Sequence, residues 1–188
     1  NYQSDPHERV HMMQRIAEIA EERAADHDRA YVWVQRALLE DPSNEQTLAE
    51  VERLGSVLDH WAQLANTYVD ALARTSEPEQ KVALGKRLAR VYEEELADVA
   101  RAEETFRFVL SVDPKDIDSL DALDRIYVAN GAHHALSEVL KLRAAATEDN
   151  VDKVELSFRL GNVLEDQLGR TAEAIAVYRN ILDTLEPE

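Results

Sequence analysis

The chain has no cysteine, which removes disulfides, thiolate metal sites and cysteine nucleophiles from consideration. It carries only five glycines and five prolines in 188 residues, so few positions break or redirect a helix. Aromatic residues make up 6% of it, which leaves Leu, Val, Ile and Ala to build any core. No apolar run approaches the roughly 20 residues that cross a bilayer, and no secretory apolar segment occurs. Positive charge is scarce: 21 Lys and Arg stand against 38 Asp and Glu, a formal net charge of −17. A field of that sign repels phosphate backbones and anionic lipid, so neither nucleic acid nor membrane insertion is expected. Its plain physical role is solubility for an elongated molecule. The compartment stays open, with the cytoplasm slightly favoured over the periplasm. The chain opens at Asn1 without a methionine, and a fragment of a longer protein is the expectation.

What the sequence does have is Ala, Leu, Glu and Arg, side chains that lose little rotamer freedom on a helix. It also repeats itself. Val10 recurs as Val82 and Val154, Arg15 as Arg87 and Arg159, Ala30 as Ala102 and Ala174, and Leu38 as Leu110 and Leu182. Glu21-Glu22 fall on Glu93-Glu94 and on Glu165-Asp166, and Asp41-Pro42 on Asp113-Pro114, while the third copy closes one residue late at Leu185-Glu186-Pro187. Between them Leu48, Arg53 and Leu64 match Leu120, Arg125 and Leu136. The period is 72 residues and holds two units of about 36, the size of helix-turn-helix repeats. Ser4-Asp5-Pro6 and Ser76-Glu77-Pro78 read as helix starts, Asp26 and Asp98 as caps of the next helices, and Asn130-Gly131 and Gly169 as stops. These signals predict ten helices, near 6–24, 27–41, 44–57, 60–75, 77–96, 99–113, 116–130, 132–147, 150–168 and 171–185. No strand pattern appears, and Tyr31-Val32-Trp33-Val34 is read as a helix face.

The odd units resemble tetratricopeptide (TPR) repeats, in which small residues of two helices meet around an aromatic and a proline closes the unit. The middle copy reads Leu88-Ala89, Tyr92, Ala102, Phe106, Val109 and Pro114. The first reads Ile16-Ala17, Ala20, Ala30, Val34, Ala37 and Pro42, and the third Leu160-Gly161, Leu164, Ala174, Tyr178, Ile181 and Pro187. Small side chains let helix axes approach within about 8–10 Å. Each odd turn is one residue longer than the family's spacing, and the usual early tryptophan is missing. The even units place Glu52 and Asp124 where a small residue is expected, and their pattern is similar to alternate units of long bacterial TPR arrays. The resemblance implies an all-α fold, an α-solenoid of about ten antiparallel helices in a right-handed superhelix. Residues 1–188 would then form a single repeat domain of five TPR-like units, about 6–43, 44–76, 77–115, 116–148 and 149–188. No polar capping helix is evident, so Leu182 and Leu185 would leave an apolar edge and a route to self-association.

Recognisable catalytic constellations are missing: no Gly-rich phosphate loop, no nucleophile in a known context. Enzyme activity, cofactor and metal are therefore not expected. The recurring acid pairs read as repeat surface, His7 and His11 as lacking a third ligand despite ligand-like spacing, His133-His134 as an outward-facing helix start, and Trp33 and Trp61 as packing residues of second helices. Projected onto the TPR arrangement, Arg53, Lys86, Arg90 and Arg125 fall on the concave side of the first helices, extended by Phe158 and Asn162. Such cations would hold a carboxylate or an acidic peptide. Ion pairing along the helix explains them more simply, Arg53 with Glu50, Arg90 with Glu94 and Arg125 with Asp121. Arg15, Arg87 and Arg159 read as bridges between adjacent helices. The expected function is a non-catalytic scaffold that binds a peptide or helix of a partner protein. The alternatives are a spacer or oligomerisation segment of a long array, or a regulatory domain attached to an effector outside this sequence.

Overall fold

The computed structural model of the protein describes residues 5–185, with side chains as far as residue 182. Ten α-helices follow one another: α1 (Pro6–Ala24), α2 (His27–Glu40), α3 (Glu45–Val57), α4 (Trp61–Arg74), α5 (Pro78–Arg90), α6 (Val99–Val112), α7 (Ile117–Asn130), α8 (His133–Ala146), α9 (Asn150–Asn162) and α10 (Thr171–Leu185). Short π-helical segments, Val91–Glu95 and Val163–Gln167, prolong α5 and α9. No strand occurs among the described residues, and none of their helices is long and apolar enough to cross a membrane. The chain divides within α6 into two compact units, one up to Thr105 and the other from Phe106. In the first, α1 packs on α2, α2 on α3 and α4, and α4 on α5; in the second, α7 packs on α8, α8 on α9 and α9 on α10. Neighbours in sequence are neighbours in space, as a stacked repeat requires.

The helix ends obey local chemistry. Asp5, Asp26, Asn44, Asp98, Asp116 and Asp149 each accept a first-turn backbone N–H, at 2.7–3.1 Å. Each therefore satisfies a donor that has no partner within its helix. Asp41 and Asp113, one period apart, accept from the amides of Ser43 and Lys115 at 3.1 and 3.0 Å and turn the chain beside Pro42 and Pro114. Ser4 and Glu186-Pro187, expected at the outermost turns, lie outside the described residues, as does the side chain of Leu185.

The long odd turn has a common construction. Ala25, Ala97 and Gly169 stand at one repeat position and all take the left-handed conformation, with φ of 50°, 50° and 64°. The next amide then reaches back six residues, Asp26 to Ala20, Asp98 to Tyr92 and Arg170 to Leu164, which closes the helix with a Schellman bond. In the second and third copies the preceding turn widens, Leu96 N–H bonding Val91 C=O and Leu168 N–H bonding Val163 C=O. In these two copies the extra residue is absorbed as one π turn, whereas α1 closes without a π segment.

The core is aliphatic and small-residue rich. Ala30, Ala102 and Ala174 are buried at one repeat position, with Leu38, Leu54, Leu64 and Leu84 around the first unit's core and Leu120, Leu123, Leu140 and Leu164 in the second. Trp33 and Trp61 lie on second helices as expected but are half-buried rather than core: the Arg36 guanidinium sits 4.8 Å from the Trp33 ring, and Trp61 lines a cleft.

At Gly161 a tyrosine ring lies against bare backbone. A Cβ on Gly161 would stand 2.3 Å from Cε1 of Tyr178, so α9 and α10 approach over a bare backbone. At Gly55 the same atom would meet Leu64 at 3.5 Å, an ordinary contact. Gly161→Ala is therefore expected to cost roughly 1–3 kcal/mol by overpacking. Gly55→Ala should instead gain roughly 0.5–1 kcal/mol, because glycine is a poor helix former. Denaturant titration checks both, and Tyr178→Val, which copies the first unit's Val34, should recover most of the Gly161→Ala loss.

Candidate functional site

The recurring arginines tie consecutive repeats together. In the first unit Arg87 of α5 reaches back to α3, with Nη1 2.8 Å from Glu52 Oε1 and Nη2 3.1 Å from Glu45 Oε2. The fully buried Tyr68 donates its hydroxyl to the same Glu52 oxygen at 2.6 Å. Burial, reinforced by that carboxylate, pushes the Tyr68 phenol far above its ordinary pKa. In the second unit Arg159 of α9 grips Asp124 of α7 with two bonds, 2.8 and 2.9 Å. Arg143 adds Nη1 to Asp124 at 3.2 Å and Nε to Asp121 at 2.6 Å. Glu52 and Asp124, anomalies against the small-residue pattern, are the acids these arginines need. Arg15, the first copy, pairs with Glu18 of its own helix and with no other acid among the described residues.

The six candidate residues fall into both units: Arg53, Lys86 and Arg90 in the first, Arg125, Phe158 and Asn162 in the second. Arg53 is held by Glu50, as its spacing predicted, and also by Glu21 of α1, which sequence distance concealed. The Arg53 hydrogen bond lowers the Glu21 pKa despite partial burial. Arg125 is exposed on α7. Phe158 is 55% exposed with its ring 5.8 Å from that of Tyr178, and Asn162 accepts the Tyr178 hydroxyl at 2.9 Å. These three side chains of the second unit form a cluster above Gly161. His7 and His11 are exposed, and no group of three metal-ligating side chains gathers among the described residues.

Lys86 and Arg90 come together in a cleft of about 490 Å³ between α3, α4 and α5. Trp61, Leu64, Ala83 and Val91 supply its apolar wall, and Arg87, Glu52, Glu94 and Glu95 its remaining polar lining. Its volume lies within the range of ligand-binding clefts. Glu52 is already engaged by Arg87 and Tyr68. Arg90 is exposed, and its guanidinium has no ion pair or hydrogen bond among the described residues, Glu94 included. Two other clefts differ. The one between α1 and α3, about 210 Å³, is lined by Glu18, Glu21, Glu22 and Glu50. The one beside α8 and α9, about 440 Å³, contains Arg143 and Arg159, both committed to aspartates. A tryptophan that opens a helix carries no sign in the sequence of the wall it faces.

No protein-family model and no curated protein matches the chain. Solved structures do resemble it. A structure of MamA aligns at 15% identity over 95% of this chain and 92% of its own, with a TM-score of 0.51. The pilF protein of Pseudomonas aeruginosa aligns at 17% identity over 95% of this chain and 77% of its own, also at 0.51. A thermophilic TPR protein of Thermus thermophilus aligns at 18% identity over 93% and 91%, but its TM-score of 0.40 carries no argument. The chain has the TPR-type helical-repeat fold.

Three substitutions, followed by denaturant titration, check the ionic ties. Asp124→Asn is expected to cost about 1–3 kcal/mol, because it strips charge-assisted bonds from two half-buried arginines. Arg53→Ala, at an exposed pair, should cost under about 1 kcal/mol. The Glu21 contribution is complete above the ordinary glutamate value near 4.3 and is lost as pH falls through the lower folded value. The stability difference between the native chain and Glu21→Gln should accordingly shrink on titration from about pH 5 to about pH 3.

Proposed function

We propose that this chain is a protein-binding scaffold without catalytic chemistry, whose cleft between α3, α4 and α5 receives a peptide or helix of a partner protein. A carboxylate of the ligand sits on Arg90, flanked by Lys86, while an apolar side chain lies along Trp61, Leu64 and Val91. The observation that carries this reading is Arg90 itself: an exposed arginine with no ion pair or hydrogen bond among the described residues, in a cleft with an apolar wall, on a chain of net charge −17. In such a chain most cations are drawn onto neighbouring acids, as Arg53, Arg87, Arg143 and Arg159 are. A cation left unpaired beside apolar surface is the group best placed to recognise an incoming anion. Phe158 and Asn162 add a contact surface on the second unit. Binding here rests on preorganised shape, since the cleft walls belong to packed helices.

The test is selection from a peptide library displayed with acidic and neutral members in equal representation. Acid-bearing sequences should be enriched on the native chain, and Arg90→Ala should weaken the selected peptides roughly 10–100-fold, the range for a charge-assisted hydrogen bond. Equal affinity for Arg90→Ala, or no enrichment of acids, would refute the assignment.

A further inference from the structure

The Arg90 cleft has a second charged end. Its lining follows α5 from Lys86 and Arg90 into the π-helical segment, where Glu94 and Glu95 stand one turn later. That turn carries them about 6–8 Å further along the helix axis. Both carboxylates are exposed, and neither makes an ion pair or hydrogen bond among the described residues. The cleft is therefore polarised, with an uncommitted cation at one end and uncommitted anions at the other.

This polarity is particular to α5. Arg90 and Glu95 stand one period after Glu18 and Arg23, and one period before Asn162 and Gln167. The same two positions thus carry cation then anion on α5, anion then cation on α1, and two amides on α9. All three helices close with the same six-residue backbone bond, so the turn requires neither charge. Nor is the cleft a face left bare by an absent neighbour: α3 packs on α4 and α4 on α5, and it lies open between them.

Resting on the Arg90 reading above, we propose that the occupant of this cleft is a partner segment with an acid and a base on one face, bound in a single direction. Its carboxylate meets Arg90 and its ammonium or guanidinium meets Glu94 and Glu95. A purely acidic segment is drawn to Arg90 but repelled one turn later, and a purely basic one meets the reverse. Only both signs in one order satisfy the two ends, and turning the segment round sets like charges together, which gives selectivity. Side chains four apart on a helix, or two apart on a strand, share a face at about this spacing.

The test sorts a displayed peptide library, with acidic, basic and apolar residues equally represented, on the native chain and on two variants whose folding is checked by circular dichroism. Sequences selected by the native chain should pair Glu or Asp with Lys or Arg at one separation and in one order. Glu94→Gln with Glu95→Gln should weaken those peptides roughly 3–10-fold, the range for two exposed ion pairs. The same peptides with the base changed to Ala should bind no tighter to the native chain than to this variant. Arg90→Glu with Glu94→Lys and Glu95→Lys reverses the cleft, and it should select acid and base in the opposite order. Acids selected at no fixed distance from a base would overturn the polarity and leave the Arg90 reading standing, as would an order that survives the reversal. No selection of acids at all would refute the Arg90 reading itself.

Discussion

A helix of 13 to 19 residues in water is marginal until one of its faces is covered, and in each unit the cover comes from helices close by in sequence. Everything else in the structure follows from that dependence. Leu38 and Leu182 occupy one repeat position, yet Leu38 is fully buried beneath the hairpin that follows it and Leu182 is 59% exposed. The residue is the same; the neighbour decides its fate. Burying such a leucine is worth about 1.5–3 kcal/mol, so stability accrues interface by interface rather than from one central core.

Charge is handled within the same neighbour-to-neighbour logic. With 38 acids against 21 Lys and Arg, a cation that faces another repeat seldom lacks a carboxylate. Arg53 ties α3 to α1, Arg87 ties α5 to α3, and Arg159 ties α9 to α7. Exposed pairs of this kind contribute little each. The ties on Asp124 are set deeper, since that residue is 6% exposed, whereas the Glu52 side chain is 37% exposed. Arg90 departs from the pattern: it lines a cleft in which Glu52 is already shared by Arg87 and Tyr68.

Much of this fold could be read from residue order, for a physical reason. Helix boundaries depend on local signals, so Asp26 and Asp98 as caps and Gly131 as a stop were legible without any tertiary knowledge. Local ion pairing was legible too: Glu50, three residues before Arg53, does hold it. The partners that escaped are the distant ones. Glu21 lies 32 residues from Arg53, and nothing in periodicity fixes which of several acids on α1 the guanidinium reaches. The spacing of Arg90 and Glu94 suggested a pair that does not form, because α5 passes into a π turn after Arg90 and the usual four-residue geometry is lost. The π turn was visible only as one residue too many.

The alternation of regular and degenerate units has an account in the same contacts. Odd units carry arginine two residues before a small residue: Arg87 before Ala89, Arg159 before Gly161. Even units carry an acid in place of the small residue, Glu52 or Asp124, and no arginine two residues earlier, where Glu50 and Ala122 stand. An odd unit stacked on an odd one would press arginine against alanine or glycine, leaving a cation without a counterion. An even unit stacked on an even one would leave its acid without a cation, and Asp124 is buried. Only odd on even satisfies both, as α5 on α3 and α9 on α7 show. An unpaired buried charge costs more than a surface pair gains. The two-unit period therefore selects the order of stacking as well as strengthening it, and the even units' departure from the family pattern is the complement of the odd units' arginine.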